Sequence, residues 1–349
     1  MKQCITLCNQ NGLNASFSPY GARWVSMYVP DRSGHIEDVL LGFDELTGYQ
    51  RAQEQYYGAV IGRVCGRIKG ADFDLGNKHY QLVGNDVYGD PQPNHLHGGL
   101  VAFHNRFWDV SSIGINKQNE QTVLFTLWSP NGEEGYPGNL KVSVRYTLTN
   151  HNSLEMECRA ITDQLTPINM TNHSFFNLAG VRNHMDILSH KLKVCSAQLI
   201  ECDDELLPTG TFLSLDGTKL DFRKERLISE AISCDYQKIS ERKGFSLAYA
   251  LNRDSACPLV AELYDEDSGR RMSLYSNQAS LQVYTGYLMN GVDIGKNGVP
   301  YYSSAGIALE PQGYPDAVHW SNFPSILVDR DEEYVWYTKL SLIHISEPT

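Results

Sequence analysis

Leu140-Lys141-Val142-Ser143-Val144-Arg145-Tyr146-Thr147-Leu148 is followed, after Thr149-Asn150-His151-Asn152-Ser153, by Leu154-Glu155-Met156-Glu157-Cys158-Arg159-Ala160. In both runs the apolar residues fall on every second position, which is the period of a strand with one buried and one wet face. The five residues between them are turn formers, so the pair reads as an antiparallel hairpin. Shorter runs of the same character recur at 24–29, 122–128, 191–200, 271–276, 280–285 and 325–328, separated by Gly, Asn, Asp and Pro. Helical patterning is confined to a turn or two at Gly42-Phe43-Asp44-Glu45-Leu46 and around Glu225 to Ala231.

No rhythm of strand, helix and parallel strand appears, which disfavours doubly wound and barrel α/β folds and leaves an all-β sandwich or barrel of many antiparallel strands. There is no Pro- or Ser-rich linker, charge block or fixed-period repeat, so one large β domain over residues 1–340 is expected. The stretch from Ser341 to Thr349 does not look like a continuation of the aromatic strand Tyr334-Val335-Trp336-Tyr337. It is read as an appended tail, non-native or disordered.

The chain has 349 residues, 42% of them hydrophobic, and a formal net charge of -12. An acidic balance argues against nucleic acid and against an anionic membrane surface, both of which reward clustered Lys and Arg. Eight cysteines occur without a C-x-x-C pair, and the N-terminus lacks the apolar core of a signal peptide. Reduced thiols, no membrane span and a cytoplasmic setting are therefore expected, with a neutral small molecule as partner; oligomeric state is left open.

Chemistry concentrates in Thr171-Asn172-His173-Ser174-Phe175-Phe176-Asn177-Leu178, where an imidazole sits among hydroxyls, amides and aromatic rings. Aromatic faces pack against the C–H surface of a sugar, amides and hydroxyls bond its hydroxyls, and histidine moves protons near neutral pH. Glu310 ends the apolar run Gly306-Ile307-Ala308-Leu309 and precedes Pro311-Gln312; a carboxylate there loses water, which raises its pKa toward that of a general base. The competing reading is an edge-strand glutamate facing solvent. In Asn94-His95-Leu96-His97-Gly98-Gly99 the glycines let backbone approach a ligand, and the two histidines would share one side of a strand; otherwise this is a loop with solvated imidazoles. Arg63 and Arg67, four apart, would likewise face one side and could bind vicinal hydroxyls or a phosphate, or else form a surface ion pair. No H-E-x-x-H or Gly-x-Ser-x-Gly occurs, so neither a metal nor a serine nucleophile is assigned.

Taken together, these segments resemble the aldose 1-epimerase family. The resemblance runs in order through Gly62 to Ile68, Asn94 to Gly99, Gly132 to Leu140, Thr171 to Leu178, Pro208-Thr209-Gly210, Asp221-Phe222-Arg223, Gly295 to Gly298, and Leu309 to Gln312 with Pro315-Asp316-Ala317. It implies a large antiparallel β-supersandwich, His173 as general acid on the ring oxygen, Glu310 as general base on the anomeric hydroxyl, and His97 and Arg67 as sugar-binding groups. Gln312 joins them as a candidate contact. The sequence departs from the family in two places: Gly66 precedes Arg67 where asparagine is usual, and Gly244-Phe245-Ser246 puts Ser246 where the family carries a sugar-binding aspartate.

The implied reaction is intelligible as acid–base chemistry. Opening a hemiacetal needs a base at O1 and an acid at O5; rotation and reclosure restore both groups, so no cofactor is consumed. Acid–base gains of roughly 10²- to 10⁴-fold per group are adequate for a reaction that already proceeds unaided. Three other functions stay open on the sequence alone: a hexose-6-phosphate epimerase of the same superfamily, a non-catalytic sugar-binding protein, and a metal-dependent isomerase or hydrolase.

Overall fold

In the computed structural model the described residues are 4–86, 94–182, 186–233, 243–252 and 255–344. The hairpin forms with the register its alternation implies: Leu140–Leu148 pairs antiparallel with Ser153–Thr162, Tyr146 opposite Met156 and Val144 opposite Cys158. Their inward side chains, Val142, Val144, Tyr146, Met156 and Cys158, are buried. Around the hairpin grows a nine-stranded sheet, in the order Asp109–Ile115, Gln121–Ser129, Leu140–Leu148, Ser153–Thr162, Glu333–His344, Arg270–Ser276, Leu259–Tyr264, Lys191–Val194 and Arg226–Leu227. All of its pairings are antiparallel.

A six-stranded antiparallel sheet runs Phe175–Phe176, Ile307–Gln312, Ser280–Tyr284, Ser246–Ala250, Gln198–Cys202 and Pro208–Ser214. Leu281, Val283, Ile307 and Leu309 from this sheet share one apolar core with Val142, Val144, Trp336 and Leu340 from the larger one. A sheet of four strands over Ile5–Asp38 closes the same core with Phe17, Trp24 and Met27. This is the all-β, largely antiparallel sandwich that the alternation predicts, with helix limited among the described residues to Leu46–Arg51, Ile228–Ile232 and short 3-10 turns.

Two expectations need correction. The first helical turn begins at Leu46 rather than at Gly42, because Gly42 is drawn out by hydrogen bonds to the Tyr301 hydroxyl and cannot also wind. The boundary at residue 340 falls inside a strand: Glu333–His344 is continuous, Ser341 pairs with Ser153 and with Ser273, Ile343 pairs with Arg271, and Leu342 is buried in the core. Two neighbouring strands satisfy this backbone, a tertiary stabilisation that the local sequence does not display. Residues 345–349 of the expected tail lie outside the described residues.

Candidate active site

The octet around His173 is not one strand. Thr171–Asn172 pairs with Val60–Ile61, Phe175–Phe176 pairs with Ile307–Ala308, and His173 lies at the crossing between the two pairings. Its backbone is held on one side, where His173 N–H donates to Ala59 O and its carbonyl accepts from Gly58 N–H. The ring is thereby fixed, with Tyr56 and Phe175 packed against it at centroid distances of 5.5 and 4.9 Å.

Every residue of Ile307–Gln312 is buried, because the strand has a packed surface on each face. Ile307 and Leu309 point into the sandwich core, so the period of two turns Glu310 and Gln312 to the opposite face. On the next strand Gln282 stands directly across from Glu310, and on the strand after that Ser246 stands across from Tyr284. Gln282 donates to Ser246 Oγ at 2.8 Å. The outer face of the six-stranded sheet is thus the floor of a cleft of about 780 Å³, counting its open mouth, lined by His173, Glu310, Gln312, Gln282, Ser246, Arg67, His97, Glu54, Tyr56 and Tyr284 among others.

His97 enters from a loop and Arg67 from the short strand Arg67–Ile68, which pairs with His95–Leu96, and both are clamped by the other sequence motifs. His97 has φ 51°, and its Nδ1 accepts the Gly66 N–H, which leaves Nε2–H as the donor of the neutral ring. The turn behind it needs glycine: Gly98 has φ +86°, and a Cβ there would lie 2.0 Å from Gly62 O. Glu134, from the motif Gly132 to Leu140, accepts the N–H groups of Leu100 and Val101 and so secures that turn. Arg67 Nε donates to Asp86 at 2.6 Å, and its carbonyl accepts the Asp316 N–H.

The cleft brings together all six residues expected from the sequence, His173, Glu310, Arg67, His97, Ser246 and Gln312. Other readings are corrected. Arg63 does not share a face with Arg67: the chain bends between Val60–Ile61 and Arg67–Ile68, and the Arg63 guanidinium is buried against Pro137 O, Gly138 O, Thr166 Oγ1 and Ser129. His95 does not share a side with His97, because the positive φ of His97 breaks the strand; His95 bonds Val83 O and the Tyr136 hydroxyl. Among the described residues no three His, Cys, Asp or Glu side chains converge as metal ligands. The polar neighbours of His173 serve the fold: Asn172 donates to Gly58 O, Ser174 to Asn172 Oδ1, and Asn177 to Ala305 O.

Sequence reasoning passed over Gln282, Tyr56 and Glu54. Gln282 had a signal, a polar residue on the alternate position of the apolar run 280–285. Tyr56 had none, since its ring meets His97, His104 and His173 only in the folded chain. Neither did Arg23, buried and donating to the carbonyls of Gln55, Tyr57 and His104, which holds the loop that carries Tyr56.

The electrostatics follow from burial. His173 Nε2 lies 3.5 Å from Glu310 Oε1, with side chains 4% and 2% exposed. Burial pushes the His173 imidazole down to about 3 and the Glu310 carboxyl well above the usual range, the charge of Glu54 adding to the latter. Burial also holds His97 well below an ordinary imidazole, with His173 and Arg67 adding to the effect. Burial therefore favours the neutral imidazole and the protonated carboxyl, side by side in a desolvated site.

An imidazole and a carboxyl facing each other on a sheet face, ringed by amides, a hydroxyl and tyrosines, make a cleft on a β-sandwich suited to a polar ligand such as a sugar. The family model described as aldose 1-epimerase matches residues 3–341, and the chain belongs to that family. It is 37% identical over 324 residues to galactose mutarotase of Bos taurus, covering 92% of this chain and 89% of that one. It is 34% identical over 340 residues to aldose 1-epimerase of Haemophilus influenzae, covering 96% and 94%. Among solved structures it is similar to galactose 1-epimerase from Lactobacillus acidophilus, with a TM-score of 0.83 and 27% identity over 98% of this chain and 94% of that one.

Proposed function

We propose that this chain, an aldose 1-epimerase, interconverts the α and β anomers of free aldohexoses such as galactose and glucose. One observation carries the assignment of roles: His173 Nε2 and Glu310 Oε1 face each other at 3.5 Å across the floor of the cleft. Glu310, as carboxylate, takes the proton of O1 while His173, as imidazolium, delivers one to O5, and the C1–O5 bond breaks to leave an open-chain aldehyde. Rotation about C1–C2 presents the other carbonyl face. O5 then attacks C1 as His173 takes its proton back, and Glu310 returns the proton to O1.

Midway through this cycle both groups are neutral, which is the state that burial favours. Bound sugar hydroxyls would supply the polar contacts that let the charged pair form at either end of the reaction. His97, Arg67, Gln312, Ser246 and Gln282 are the groups placed to bind and orient the sugar. The sugar-phosphate alternative finds little support, because Arg67 is the sole cation lining the cleft among the described residues and is already paired with Asp86. A cytoplasmic setting suits the seven described cysteines, all free thiols.

Polarimetry on freshly dissolved α-galactose tests the assignment. Relaxation faster than buffer in proportion to protein is expected; relaxation at the buffer rate would overturn it.

A further inference from the structure

Glu54 is a second carboxylate in the same cleft, and the loop that carries it is built to hold it there. The N–H groups of Gln53 and Glu54 both donate to the Asp293 carboxylate, at 2.8 and 3.0 Å. Arg23 anchors the carbonyls of Gln55 and Tyr57 on the far side of the loop, and between them the Tyr56 ring rests on His97 and His173. The Glu54 side chain is delivered into the cleft wall from this support, along the same cleft as Glu310.

Among the described residues no Lys or Arg lies within ion-pair distance of Glu54; its carboxylate accepts one long bond, 3.4 Å, from Tyr56 N–H. A partly buried carboxylate without a cation has acceptor capacity to offer a ligand. On the floor, Ser246 offers only a hydroxyl, already engaged by Gln282. Once Glu54 ionises its charge stands uncompensated in the cleft, since Arg67, the one Lys or Arg lining it among the described residues, is paired with Asp86. Burial, with Asp293 adding to it, raises Glu54 to about 8, while Arg23 and the Tyr56 N–H act in the opposite direction.

We propose that Glu54 is a specificity-determining residue of this cleft: its carboxylate accepts sugar hydroxyls and disfavours sugars that carry a negative charge. This rests on the aldose 1-epimerase reading above. Two hydroxyls of one sugar can share a single carboxylate, and an anionic substituent brought beside it meets repulsion that little solvent screens.

The test compares the parent protein with Glu54→Gln on galactose and on galacturonate at about pH 9, where Glu54 carries its charge. The galactose KM is expected to rise about tenfold in the variant, a loss of one charge-assisted hydrogen bond entering through KM rather than kcat, while the galacturonate KM falls. A galactose KM within about twofold of the parent, or a galacturonate KM that does not fall, overturns the proposal. Glu54→Asp covers poor folding of the first variant, because it keeps the charge but shortens its reach: galactose KM should rise without galacturonate being admitted, and an unchanged galactose KM counts against the proposal. A parent protein inert on galactose would instead remove the underlying functional reading.

Discussion

His173 and Glu310 come from segments more than a hundred residues apart, yet Phe175–Phe176 and Ile307–Ala308 are paired strands, so one short stretch of ladder sets the distance between the two side chains. The imidazole and carboxyl are positioned by backbone hydrogen bonds rather than by each other. Substituting either side chain should leave the other in place.

Glu310→Gln and His173→Gln preserve shape and remove proton transfer. Each is expected to lower kcat by roughly 10²- to 10⁴-fold with the fold intact, read by polarimetry alongside circular dichroism. The double variant should be little worse than the worse single one, because the two groups act as a unit. Near-parental rates in both single variants would remove them from the mechanism.

Acid should destabilise this protein early. Burial holds His95 at about 4 and His104 and His173 at about 3, whereas an unfolded chain titrates its histidines near 6.5. The unfolded state then binds more protons, so the stability these rings contribute is complete above about pH 6.5 and is lost as pH falls toward 3 to 4. Each ring can cost about 1.4 kcal/mol per pH unit in that window. A melting temperature that falls steeply between about pH 6.5 and pH 5 is expected, and His104→Gln should flatten the slope. The raised Glu54 and Glu310 carboxyls act with the opposite sign over this range, so the comparison decides: a His104→Gln slope equal to the parent's would contradict the burial of that ring.

Gly98→Ala should cost more than an ordinary loop substitution. The new methyl would have to displace Gly62 O at a left-handed backbone position, both of which act on the loop that aims His97. A loss of roughly 1–3 kcal/mol in chemical denaturation and a raised galactose KM are expected together. Gly76→Ala, also left-handed but with open space around it, separates strain from collision and should leave KM unchanged.

Deleting residues 341–349 should destabilise the protein, because Leu342 is 1% exposed and its neighbours complete two strand pairings. Loss of a buried leucine alone costs about 2–5 kcal/mol. Deleting only 345–349 serves as the comparison; equal stability of the two truncated forms would show that the strand end contributes nothing.

Much of the fold was legible because alternation is a local signal: Leu140 to Ala160 states which side is wet before any partner strand is known. The strand end at Ser341–His344 was not, since its apolar face is assigned by Ser153 and Arg271 across the sheet rather than by neighbours in sequence. The candidate site divided in the same way. His173, Glu310, His97, Arg67, Ser246 and Gln312 could be named because each stands in a distinctive local run. Arg63 and His95, from the same runs, proved to be buried structural groups, since a bend before Arg67 and the positive φ at His97 redirect side chains that strand geometry would have aligned.

The sequence by itself determined the class of architecture and the family, and named His173 and Glu310 as candidates for an acid–base pair, because periodicity and motif order are carried along the chain. Only the tertiary structure decided which polar groups face the cleft. A side chain's face depends on the strands packed above and below it: Asn172 and Ser174 are consumed by the fold, while Glu54, unremarkable in sequence, opens into the cleft. The preference of both groups for their neutral forms is tertiary too, because removal of water by distant strands is what moves His173 and Glu310 away from their ordinary titration.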